Sequence, residues 1–111
     1  MTYSMMQRIA QYDAGQLDQL NTDDIRFIEL LKADDRFFTD FVGIVKELQA
    51  DGIERFRANL ILGYLRYLHR RRYKGEKGPY ALNDHHGPRM ARLLIELDLV
   101  AEGFFELRDR D

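Results

Sequence analysis

The chain has no cysteine, only 2 prolines and a single serine, Ser4, among its 111 residues. The first absence excludes disulfides, thiolate catalysis, iron–sulfur clusters and Cys-based zinc sites. Few prolines together with 12% aromatic residues argue against disorder, because large side chains offset the entropy of ordering the chain. Ser4 has no histidine nearby in sequence, and no glycine-rich loop followed by Lys and Ser or Thr is present, so nucleophilic catalysis and nucleotide binding find no support. No stretch approaches the roughly 20 apolar residues needed to cross a bilayer, and Met1 to Arg8 lacks the apolar run of a signal peptide. Membrane insertion and export are therefore not expected, and the cytoplasm is the default location. Repeats, low-complexity tracts and Pro/Ser-rich linkers are also missing. What remains, 45% hydrophobic and 32% charged, is the composition of one globular domain.

The formal net charge of −2 conceals three blocks of opposite sign. Residues 1–54 carry 5 basic and 11 acidic side chains, residues 55–92 carry 10 basic and 2 acidic, and residues 93–111 carry 2 basic and 6 acidic. The basic block is densest between Arg66 and Lys77, where Arg66, Arg70, Arg71, Arg72, Lys74 and Lys77 face one acid, Glu76. Such asymmetry points to an anionic partner. The competing reading is internal neutralisation, since a domain of this size holds most of its charges within two or three Debye lengths of one another.

Periodicity predicts a mainly α-helical single domain, a bundle of about four helices over residues 21–111, preceded by an N-terminal arm or short helix over 1–20. Asn21 or Thr22 offers a capping oxygen, Asp23 and Asp24 suit the positive end of a helix dipole, and Ile25, Ile28 and Leu31 follow at helical spacing, which predicts a helix over 22–33. Asp34 or Asp35 caps the second, built on Phe38, Phe41, Val42, Val45 and Leu48 and ended by Gly52. The third begins near Ile53, with Phe56, Leu60, Tyr64 and Tyr67 on one stripe and Ile61, Leu65 and Leu68 beside it. The fourth starts at Asn83 or Asp84, tolerates Pro88 in its first turn and packs through Met90, Leu93, Leu94 and Leu97. Tyr80–Leu82 and Phe104–Leu107 have the composition of a short β element.

The second helix, a turn at residues 49–52, the third helix and a hairpin over residues 72–82 follow the order of a winged helix. The details depart from it. Leu48 stands where a tight turn favours a small residue, and the arginines crowd the C-terminal end of the third helix, whereas a reading helix presents its N-terminal part to the groove. Nucleic-acid contact has a chemical argument of its own, because Tyr64, Tyr67, Tyr73 and Tyr80 interleave with the arginines, and such surfaces neutralise phosphates while their rings stack on bases. On the alternative reading Tyr64 and Tyr67 belong to the core, and only Tyr73 and Tyr80 face outward. Adjacent histidines such as His85 and His86 point about 100° apart on a helix, so neither these nor Asp84 and His69 lead us to expect a metal, and no cofactor is expected. Phe37, Ile44, Leu62, Phe104 and Phe105 exceed what four short helices readily bury, which leaves either an exposed patch, including a homodimer seam, or an unusually full core.

These observations converge on a non-enzymatic regulatory or adaptor protein that binds a protein or nucleoprotein partner, as an inhibitor does. The expected contact residues are Arg66, His69, Arg70, Arg71, Arg72, Tyr73, Lys74, Lys77 and Arg89. A DNA- or RNA-binding regulator of helix-turn-helix or winged-helix type is the alternative.

Overall fold

The computed structural model describes residues 4–72 and 84–105 and, within them, all side chains except those of Asp35 and Arg72. Among these residues the fold consists of five α-helices around one core: α1 (Met5–Asp13), α2 (Thr22–Ala33), α3 (Asp35–Ala50), α4 (Ala58–Arg72) and α5 (His86–Glu96). A short 3-10 turn at Leu17–Gln19 joins α1 to α2.

Local chemistry accounts for the first half. The Asp24 backbone N–H donates to Asn21 Oδ1 at 2.8 Å, which fixes the start of α2 at the residue the capping pattern indicates. Asp34 then ends α2 and begins α3, its carboxylate accepting from the Arg36 N–H at 3.0 Å. Three helices end in the same way, with the chain turning through a left-handed residue: Gly15 after α1, Gly52 after α3 and, where glycine would be the usual choice, Asp98 after α5 at φ 58°. The Leu99 N–H closes that last turn on the Leu94 carbonyl at 3.0 Å, as the Ile53 N–H does on Leu48 at 3.0 Å.

Two expectations are corrected. The helices number five rather than about four, because the N-terminal segment folds into α1 and packs on α5 and α2. The third helix starts at Ala58 rather than near Ile53. The Phe56 N–H donates to the Phe104 carbonyl at 2.8 Å, and Phe56 forms an isolated parallel bridge with Phe105, so contact with Phe104 and Phe105 keeps 53–57 out of the helix. A connection over 51–57 accordingly takes the place of a tight turn at 49–52. No strand occurs among the described residues. Of the hairpin expected over 72–82, all but Arg72, the last residue of α4, lies outside them, as does Tyr80–Leu82.

Of the two outcomes open for the apolar surplus, the full core is the one found for four of the five residues. Phe37, Leu62, Phe104 and Phe105 are all buried, and only Ile44 of that group is partly exposed. The aromatic rings fill the core by interlocking edges: Phe104 and Phe105 stand perpendicular at 4.9 Å, and Phe41 lies 6.2 Å from both Phe37 and Phe105. His86 completes this cluster, buried between Phe27 at 6.0 Å and Phe37 at 6.5 Å. The surplus surfaces on α4 instead. Its inner face is Ala58, Ile61, Leu62 and Leu65, packed against α3 and α5, whereas Leu60, Tyr64 and Tyr67 are exposed.

Candidate interaction surface

At 3.6 residues per turn, positions 60, 64, 67 and 71 share an arc of about 60° on the outside of α4. Leu60 is 59% exposed and Tyr64 and Tyr67 are each 53% exposed, although the same helix is closely packed on its other side. The two tyrosine rings lie 6.5 Å apart, and the Arg71 guanidinium carbon sits 5.8 Å from the centre of the Tyr67 ring. At that distance the Arg71 guanidinium is within cation–π reach of the ring while the residue remains exposed. Gly63 lies beside this stripe, and a Cβ built there meets none of the described residues within 4 Å. The outcome is a strip of Leu60, Gly63, Tyr64 and Tyr67 with exposed Arg70 and Arg71 at its C-terminal end. Tyrosine and arginine are the side chains most enriched where partners bind, because each joins a large apolar body to a polar tip.

The arginines expected to act together are divided by the fold. Arg89 turns inward. Its Nε donates to Asp24 Oδ1 at 2.8 Å and its Nη1 to the His85 carbonyl at 3.0 Å, and its side chain is only 12% exposed. Asp24 is fully buried and takes a second ion pair on Oδ2, from Arg8 of α1 at 2.8 Å. A carboxylate at the positive end of α2, held by two guanidinium groups, thus ties α1, α2 and α5 together. Arg66 is paired with Asp84 at 2.6 Å across the surface. His69 is half-buried, whereas Arg70 and Arg71 are exposed. Arg72 closes α4, and Tyr73, Lys74 and Lys77 lie outside the described residues.

Two structural contacts are not legible from local sequence. Asp24 looks like a helix-start acid, and its second role appears only when Arg8 and Arg89 arrive, the latter from 65 positions away. Glu96 behaves in the same way at the other end of the core. Its carboxylate accepts from the Ser4 hydroxyl at 2.6 Å, the Met5 N–H at 2.7 Å and the Met6 N–H at 3.2 Å, satisfying the free donors of the α1 N-terminus. The chain's one serine therefore serves as a cap, its Oγ also accepting from the Gln7 N–H at 3.1 Å.

Among the described residues no three His, Asp or Glu side chains come together to hold a metal ion, and His85 instead lies 3.5 Å from Asp23. No described helix is long and apolar enough to cross a membrane. No protein-family model matches the chain, and no curated protein or solved structure shows significant similarity to it.

Proposed function

We propose that this protein is a non-enzymatic binding module that engages an acidic protein partner through the outer face of α4, in a regulatory or adaptor role. The observation that carries the reading is the exposure of Leu60, Tyr64 and Tyr67 on a helix whose opposite face is fully packed. A domain able to bury Phe37, Phe104 and Phe105 leaves these three outside, which fits a surface covered by something else. Arg70 and Arg71 supply the charge that would orient an acidic partner.

Direct nucleic-acid binding, of helix-turn-helix or winged-helix type, is the second reading, favoured by the neighbouring Tyr64 and Tyr67 rings beside Arg71. It ranks lower because Arg89 and Arg66 are engaged by Asp24 and Asp84, which thins the run of cations that phosphate binding draws on. A photo-reactive residue placed at Leu60 in the native host decides between them. One dominant protein adduct, lost on Arg70→Glu/Arg71→Glu, is the expected result. Adducts to nucleic acid select the second reading, and the absence of any specific adduct overturns both.

A further inference from the structure

Resting on that reading, we infer that the occupant of the α4 outer face is an α-helix of the partner, with an acidic first turn, crossing α4 at Gly63. Glycine inside a helix is unfavourable relative to alanine, so it calls for a compensating reason. At Gly87 the reason is inside the molecule: a Cβ there would sit 1.9 Å from Asn59 Oδ1 and 3.0 Å from its Cγ, where α5 meets α4. At Gly63 the described residues supply no such reason, since a Cβ would meet none of them within 4 Å. Its neighbours at helical spacing are Asn59, Leu60, Arg66 and Tyr67, so the missing side chain makes a notch along the edge of the apolar strip, with Leu60 and Tyr67 on one flank. Gly43 on α3 is equally open, but its neighbours at helical spacing are Thr39, Asp40, Lys46 and Glu47, which form no such strip. Among the described helical glycines, an open notch with an apolar flank occurs at Gly63.

A helix fits the notch better than an extended segment. The middle of α4 offers no free backbone N–H or C=O, so a strand laid on it would leave its own main chain without partners, whereas a helix arrives with its backbone already bonded. Ridges of side chains on one helix seat in the grooves of another at axis separations of about 8–10 Å, and a glycine at the crossing favours the shorter distance. Charge sets the direction. Residues 58–72 contain no acid at all, and Arg70 and Arg71 lie at the C-terminal end of the strip. Carboxylates are most stable in a helix's first turn, so the partner helix places its N-terminus at Arg70 and Arg71 and runs antiparallel to α4. A second copy of α4 does not meet this need, because an antiparallel pair would bring Arg70 and Arg71 beside Arg57.

The test is a selection on the full chain with three probes: a library of helical peptides randomised on one face, a library of extended peptides, and single-stranded oligonucleotides. The inference expects helical peptides with Asp or Glu in the first turn and a small residue at the crossing. It expects Gly63→Ala to raise the thermal midpoint by roughly 4 °C while weakening the selected peptide at least about tenfold. Gly43→Ala should raise the midpoint similarly and leave affinity unchanged. Ligands whose affinity falls with Tyr67→Ala but not with Gly63→Ala, or whose selected form is extended, overturn the helix while the docking face stands. If no probe, of any class, loses affinity on Tyr67→Ala, both the helix and the docking face are overturned, and oligonucleotides that do so select the nucleic-acid reading.

Discussion

The Arg8–Asp24–Arg89 node and the outer face of α4 treat arginine in opposite ways, although both draw on the chain's basic residues. At the node, a fully buried carboxylate holds two guanidinium groups that come from different helices, so charge is consumed in joining α1 and α5 to α2. On α4, Arg71 rests on an exposed tyrosine ring, and the adjoining Leu60 and Tyr64 are more than half exposed. Three-dimensional neighbours therefore decide whether a basic residue is structural or available for recognition, and the local density of arginine does not. The same contrast runs through Leu60 and Leu62, two positions apart, one of them 59% exposed and the other fully buried.

Substitutions break the comparison at its strongest point first. Asp24→Ala leaves Arg89 largely buried without its carboxylate and should cost about 3–5 kcal/mol, read as a fall in denaturant midpoint at unchanged slope. A loss below about 1 kcal/mol would show that the node does not hold the helices together. Next comes the leucine pair: Leu62→Ala should cost about 2–5 kcal/mol, whereas Leu60→Ala should stay within about 0.5 kcal/mol. Equal losses at the two positions would mean that the outer face is packed after all. Glu96→Ala should destabilise by about 1–2 kcal/mol and speed amide exchange at Met5 and Met6 ahead of the rest of the core. The smallest effect is expected at Asp98, where Gly relieves the left-handed backbone and should stabilise the fold by up to about 1 kcal/mol. A destabilised Asp98→Gly variant would indicate that the aspartate side chain has a role its backbone does not reveal.

What could be read in advance divides along the same line. The bounds of α2, and of α3 with its cap at Asp34 and its end at Gly52, follow from residues within a few positions of each other, and sequence spacing locates them. The start of α4 lies about one turn beyond where spacing places it, because Phe56 pairs with Phe104 and Phe105, almost 50 residues further on. The exposed strip was half visible. Sequence showed two apolar stripes on α4 but gave no means of choosing which one faces the core, since both have helical period and both contain large side chains. Arg89 was grouped with the other arginines for the same reason: nothing near it in sequence discloses Asp24.

Composition and local spacing by themselves determined a helical domain free of thiol chemistry, with uneven charge and with α2 and α3 in place, because capping, dipole preference and hydrophobic period act over one or two turns. Only the tertiary structure decided which face of α4 is buried, that Asp24 and Glu96 bind across the core, and which arginines remain outside. Those outcomes depend on groups as many as 92 positions apart that meet once the helices pack, and short-range preference carries no information about such meetings.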